Sequence, residues 1–273
     1  MTANTSSPAT YAFIGGGFMA GALIDGLIHS GTPAAHIHVA ELRQARRAEL
    51  QARHPGLQCS AAAAQVVRAA SVVTLAVKPG HVAAVLPDIA AALRPETVVI
   101  SIAAGCTLAR LQADLPAGQP LVRAMPNVAA SVRQAVTALA PATSAAPAHM
   151  AAAAALFGAV GQVVQVSEGE LDAVTGLSGS GPAYVCLLIE ALSDGGVTAG
   201  LSRGTAQQLA VATVAGAAAL LQQEGTHPAL VRESVTSPGG TTAAGLHALE
   251  QGRLRATVTD AVLAATARAR ALR

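Results

Sequence analysis

The chain has no tryptophan, two tyrosines and three phenylalanines in 273 residues, so aromatics make up only 2 %. Charged residues are scarce at 12 %, and the formal net charge is +2. Without a basic run or rings to stack on bases, nothing supports a nucleic-acid partner. Cysteine is limited to Cys59, Cys106 and Cys186, which are far apart and form no CxxC. That excludes a disulfide framework or a zinc site and predicts three reduced thiols in packed positions of a cytoplasmic protein. Met1–Pro8 is polar and lacks the apolar stretch of a secretory signal. The longest apolar run, Leu209 to Leu221, is short and rich in alanine and glycine, so no membrane span is expected. No Ser-His-Asp set, paired carboxylates or metal cluster stands out. His36 and His38 fall on one face of a short segment, too little to argue for a metal.

What is abundant is alanine, within a hydrophobic fraction of 52 %. Small apolar residues pack helices closely, and few charges remain to cover a monomer, which predicts a helix-rich protein with an apolar subunit interface. The length suggests two domains or one large one. Arg268, Arg270 and Arg273 read as a solvated last helical turn, favourable to the helix dipole.

The pattern along the chain divides in two. Short apolar runs at Thr10–Gly15, His36–Glu41, around Cys59, Ser71–Val77, Thr97–Ile102, Leu121–Met125, Ala135–Ala140 and Val160–Val166 read as strands. Between the earlier ones, Phe18–His29, Arg43–Arg53, Ala61–Arg68, Pro79–Leu93 and a stretch from Leu108 have helical periodicity. Pro141–Pro147 reads as a surface loop. Strands alternating with helices predict a parallel sheet covered on both faces. After Val166 no strand is evident. Pro182–Asp194, Arg203–Glu224, Pro228–Val235, Thr241–Gln251 and Leu254–Leu272 read as helices, with Asp194-Gly195-Gly196 as a break. The expected organisation is α/β: a Rossmann-type dinucleotide-binding domain over 9–166, then an all-helical domain over 167–273.

Gly15-Gly16-Gly17-Phe18-Met19-Ala20 has the form GxGxxA between a strand and a helix, the context in which this motif binds a dinucleotide. Gly15 permits the tight turn, Gly17 lets the main chain approach a pyrophosphate, and Ala20 lets the helix pack on the strand. Phe18 and Met19 begin that helix, whose N–H groups and dipole favour phosphate. Glu41 ends the second strand, where an acid commonly accepts from the adenosine ribose. Arg43, Arg46 and Arg47 follow at once and could hold a 2′-phosphate, so this segment leaves NAD and NADP both open. Ala76-Val77-Lys78-Pro79 closes the fourth strand, where doubly wound sheets bind ligands. A nicotinamide cofactor, NADPH or NADH, is therefore expected at Gly15, Gly17, Phe18, Met19, Glu41, Arg43 and Ala76, Val77, Lys78, Pro79.

Two glycine-rich loops in the second half each enter a helix. Leu177–Tyr184 reads LSGSGPAY, and Thr236–Leu246 reads TSPGGTTAAGL. Such a loop leaves main-chain N–H groups unpaired at a helix N-terminus and can hold an anion. Thr241 and Thr242 could serve instead as ordinary helix caps.

These motifs together resemble the pyrroline-5-carboxylate reductase family: FIGGG-x-MA at Phe13–Ala20, AVKP at Ala76–Pro79, MPN at Met125–Asn127, GLSGSGPAY, DGGV…GL from Asp194 to Leu201, and SPGGTT…GL…LE. The resemblance runs from about Tyr11 to Leu272. It implies hydride transfer from NAD(P)H to the C=N carbon of a five-membered cyclic imine, giving L-proline. It implies a homodimer interlocked through the C-terminal helices, with further assembly into a decamer. It places the substrate carboxylate on Ser237, Gly239, Gly240 and Thr241, and the Thr242 hydroxyl, the candidate catalytic group, against the ring nitrogen. The chain departs from the family at Phe18, where a polar residue, often Asn, is usual. Two other readings stand beside this one. A dehydrogenase of the same architecture acting on a hydroxy acid or another imine would want a proton donor such as lysine, and residues 167–273 contain none. A non-enzymatic relative is favoured by Phe18 alone.

Overall fold

The structure is a computed structural model that describes residues 9–223 and 225–272. The polar segment Met1–Pro8, the helix end at Glu224 and the terminal Arg273 lie outside the described residues. Elements follow in the order β1 (Tyr11–Ile14), α1 (Phe18–His29), β2 (Ile37–Ala40), α2 (Gln44–Arg53), β3 (Gln58–Ser60), α3 (Ala63–Val67), β4 (Val72–Leu75), α4 (Pro79–Ala90), β5 (Val98–Ser101), α5 (Leu108–Ala113), β6 (Leu121–Met125), β7 (Ala135–Pro141), α6 (Pro147–Gly158) and β8 (Gly161–Gln165). Then come α7 (Leu171–Val174), α8 (Gly181–Thr198), α9 (Arg203–Leu221), α10 (Pro228–Ser234), α11 (Thr241–Gln251) and α12 (Leu254–Arg270).

The eight strands form one sheet in the order β3-β2-β1-β4-β5-β6-β7-β8. β1 pairs in parallel with β2 on one side and β4 on the other, so the winding reverses there and opens a crevice beyond their carboxyl ends. The inner strands β1, β4 and β5 are buried on both faces, as continuous apolar strands require. Alternation sorts the side chains: Tyr11 and Phe13 join Leu23, Leu27 and Phe157 on one face. Ala12 and Ile14 join Val67, Leu86 and Leu111 on the other.

The sheet departs from the expected all-parallel pattern at β7, which runs antiparallel to β6. Only nine residues separate the two strands, too few for a parallel crossover, and a short 3₁₀ turn at Val128–Val132 reverses the chain. α6 was not foreseen; its alanine-rich sequence shows almost no amphipathic stripe, yet Ala153, Leu156 and Phe157 are buried against the sheet. His36 lies in a 3₁₀ turn before β2, so it does not share a strand face with His38.

Two compact units divide between Gly179 and Ser180, beyond the expected 166/167 boundary. The first comprises residues up to Gly179 together with Ala265–Arg273, and the second Ser180–Ala264. Residues 167–179 belong to the first because Glu168 is bonded to β6 and the start of α5, and Ser178 to the segment after β6. Glu168 Oε1 accepts from Arg123 NH1 at 2.8 Å and from the Leu108 N–H at 2.6 Å. Asn127 Nδ2 donates to the Ser178 carbonyl at 3.2 Å.

The second unit is helical. The expected break at Asp194–Gly196 is not there: α8 runs through to Thr198. Gly196 serves close packing instead, since a Cβ on it would sit 3.0 Å from Ala206 Cβ of α9. This unit leaves Leu187, Leu188, Leu192, Leu209, Leu220 and Leu263 exposed. Helices stripe their apolar residues to bury them against another element, and the single subunit does not supply enough. Cys186 is also exposed here, against the expectation of a packed thiol; Cys106 is buried and Cys59 half-buried, and all three are free. α9 is longer than the apolar run that argued against a membrane span, and by length and composition alone it could cross a bilayer.

Candidate active site

The groove in the first unit is built where three strands end side by side. β1 stops at Ile14, and the chain turns through Gly15 at φ +99°. A side chain there would be strained, and its Cβ would stand 2.9 Å from the Ala76 carbonyl oxygen. The turn therefore nests on the end of β4. Gly17 is the N-cap of α1 and carries no side chain that could satisfy the helix's first N–H groups. A Cβ at Gly17 would meet nothing within 4 Å, so the space before the helix is open. Bare N–H groups at the positive end of a twelve-residue helix can accept a pyrophosphate.

Phe18 is 62 % exposed, Met19 is half-buried, and Ala20 is buried under the helix. Ala76 and Val77 are half-buried beside the glycine turn. Lys78 is exposed and is the N-cap of α4, with Pro79 in that helix's first turn.

Glu41 closes the groove from the β2 side. Its Oε2 accepts from the Gly16 N–H at 3.1 Å. Its Oε1 accepts from the Arg43 N–H and from Arg43 Nε, each at 3.0 Å. Burial favours the protonated acid, but the Arg43 and Gly16 hydrogen bonds and the Arg43 charge outweigh it and hold the carboxyl below its usual range. The expected cofactor residues thus gather at the carboxyl ends of β1, β2 and β4.

The second unit carries the other loop. α11 begins at Thr241 with Gly240 as N-cap, and no side chain caps it. Thr241 and Thr242 are therefore not acting as the cap. Gly239 has φ +66°, and the Gly240 N–H donates back to the Ser237 carbonyl at 3.0 Å. A Cβ on Gly240 would collide with Ser237 Oγ. Thr241 is exposed and Thr242 half-buried. The loop offers free N–H groups at the start of an eleven-residue helix beside two hydroxyls, a chemistry suited to a carboxylate. The cofactor and substrate candidates fall in separate units, ten elements of sequence apart.

Sequence reasoning assigned no role to Asn127, which donates to the Ser178 carbonyl. Thr175–Gly179 forms a π-helical turn between α7 and α8, a rare geometry that recurs at functional sites. The MPN and GLSGSGPAY motifs were the available signal. The Arg123–Glu168 pair left none, because neither residue belongs to a glycine-rich motif.

Comparisons with known proteins agree with this layout. Residues 168–272 match the family model described as pyrroline-5-carboxylate reductase dimerisation. Residues 10–105 match that described as NADP oxidoreductase, coenzyme F420-dependent. The chain is 44 % identical to a pyrroline-5-carboxylate reductase of Mycobacterium tuberculosis, over 97 % of each sequence. It is 46 % identical to one from Synechocystis, covering 95 % of this chain and 96 % of the relative. Among solved structures, the pyrroline-5-carboxylate reductase of Coxiella burnetii superposes with a TM-score of 0.91 at 35 % identity, covering 97 % of this chain and 98 % of that one. The Plasmodium falciparum pyrroline carboxylate reductase, with NADP bound, gives 0.85 at 26 % identity over the same shares. With full-length likeness added to the two glycine-rich helix entries, the chain belongs to the pyrroline-5-carboxylate reductase family.

Proposed function

We propose that this protein reduces 1-pyrroline-5-carboxylate to L-proline with NADPH or NADH, the last step of proline biosynthesis. One observation carries the reading: more than 40 % identity, over nearly the whole chain, to proteins named pyrroline-5-carboxylate reductase. The nicotinamide ring, when bound, supplies a hydride to the carbon of the C=N bond, and that bond's electron pair passes to the ring nitrogen.

The protein's own residues then have modest chemical duties. Gly15, Gly17 and the first turn of α1 hold the pyrophosphate, with Phe18 and Met19 forming the wall above it. Glu41 and Arg43 meet the adenosine ribose, and Ala76–Pro79 line the route toward the nicotinamide. Ser237, Gly239, Gly240 and Thr241 hold the substrate carboxylate through main-chain N–H groups. The Thr242 hydroxyl hydrogen-bonds the ring nitrogen, which can already carry its proton. Little further acid–base help is needed, because holding two reactants in line is worth roughly 7–11 kcal/mol of barrier.

The helical second unit dimerises, which supports burial of the leucines that the single subunit leaves exposed. The same pairing gives the apolar face of α9 a protein partner in place of a bilayer. We read the dimer as the building block of a decamer in the cytoplasm. Light scattering on the purified protein checks the assembly, and a dimer that never grows would refute the decamer.

The test of function is oxidation of NADPH and NADH in the presence of pyrroline-5-carboxylate, beside a six-membered cyclic imine acid and a hydroxy acid. Turnover of the five-membered imine to proline is expected. Turnover of the hydroxy acid alone would transfer the assignment to a dehydrogenase, and no turnover of any substrate would leave only a binding role.

A further inference from the structure

Three arginines follow Glu41, and each stands where a 2′-phosphate could meet it. Two of them are committed elsewhere. Arg46 donates from Nε to the Gly16 carbonyl at 2.7 Å and pairs with Glu49. Arg47 NH1 donates to the carbonyls of Glu41 and Leu42 at 2.6 and 2.8 Å. These bonds brace the glycine turn and the link from β2 to α2, so withdrawing either guanidinium would leave main-chain acceptors without their donor.

Arg43 remains, and its Nε and NH2 lie 3.0 and 3.4 Å from the Glu41 carboxylate oxygens. Glu41 is itself held by two main-chain donors, Gly16 and Arg43. A ribose 2′-hydroxyl arriving here has a proton to donate to that carboxylate. A 2′-phosphate carries about −1.5 to −2 charges and would face a fixed carboxylate whose neighbouring cation already neutralises it.

Resting on the function proposed above, we infer that Glu41, latched to Gly16 and Arg43, makes this enzyme favour NADH over NADPH. Arg43 serves as the partner of Glu41 and not as a phosphate ligand. The family model that covers this domain is described by NADP, so the preference belongs to this chain's own adenosine end.

The test is direct binding of NADH and NADPH to the purified protein, by calorimetry, without imine present. Wild-type protein is expected to bind NADH at least about tenfold more tightly. Glu41→Gln keeps an oxygen for the Gly16 N–H and removes the charge. It is expected to tighten NADPH by about tenfold and to change NADH by less than about threefold. Arg43→Gln is expected to leave the order of the two cofactors as in wild type. Tighter wild-type binding of NADPH, an unchanged ratio in Glu41→Gln, or selective loss of NADPH in Arg43→Gln would each overturn the inference while leaving the reductase function standing. Failure of both nucleotides to bind folded wild-type protein would overturn the function and the inference together.

Discussion

Glu168→Ala should destabilise the first unit far more than Arg123→Met, although both break the same ion pair. Arg123 lies on β6 with its side chain only 6 % exposed, whereas that of Glu168 is 31 % exposed. Removing Glu168 leaves a guanidinium buried without its carboxylate and takes the acceptor from the Leu108 N–H at the start of α5. Breaking a fully buried pair in this way costs about 3–5 kcal/mol. Water reaches the Glu168 end, so about 2–3 kcal/mol is the expected loss. Replacing Arg123 by methionine instead keeps the apolar stem in the core. It also leaves Glu168 free to turn to water while it still accepts from Leu108, at a cost of about 0–1 kcal/mol. Urea unfolding at fixed protein concentration reads the difference, since with a slope of about 1–3 kcal/mol/M the two midpoints should separate by roughly 1 M. Equal losses, or a greater loss in Arg123→Met, would refute the claim that the arginine is the desolvated partner.

Gly15→Ala should lower stability by about 2–4 kcal/mol and weaken dinucleotide binding, because a positive φ and the Ala76 carbonyl both oppose a Cβ; a normal thermal midpoint would contradict the turn geometry. Thr242→Ala should lower kcat about 10–100-fold, the worth of a hydrogen bond to a charged group, with the cofactor Kd unchanged and Thr242→Ser recovering most of the rate. Collapse of cofactor binding instead would reassign that loop. Glu41 has a folded pKa below the ordinary 4.5, so it contributes stability above that pH and the contribution is lost as pH falls through the lower folded value. Glu41→Gln should therefore flatten the stability profile in acid, measured by urea unfolding as a function of pH.

The fold was legible wherever a pattern was strong. Every expected strand formed within two residues or so of its proposed ends, because apolar runs bounded by glycine or proline leave few alternatives. α1 and α11 matched at both ends, being opened by glycine turns. What stayed hidden depended on tertiary context. The antiparallel β7 is set by the short link from Met125 to Ala135, not by its own apolar sequence. Gly195 and Gly196 looked like a helix break, yet α8 runs through them because Gly196 makes room for Ala206. α6 was invisible because alanine on every side gives no stripe. The exposure of Cys186 and its neighbouring leucines on the helical second unit depends on what that unit packs against, which no local pattern can show.

The candidate site was legible for a different reason. Main-chain binding of phosphate and carboxylate demands glycine at fixed spacings, and glycine is easily seen in a sequence. The side-chain contacts were not legible. Glu41 and the three arginines left the 2′-position open because no sequence pattern shows which of them bond to the main chain, and Asn127 was read only as part of a motif. Phe18, where the chain departs from the family at the glycine turn, proves largely exposed.

Under the proposed function, hydride passes directly from the nicotinamide cofactor to the C=N carbon of the cyclic imine. Turnover of pyrroline-5-carboxylate with nicotinamide cofactor deuterated at the transferable C4 position tests it most directly. The account predicts proline carrying one deuterium on the ring carbon formerly double-bonded to nitrogen, and none released to water; deuterium in the solvent, or proline without label at that carbon, would contradict it.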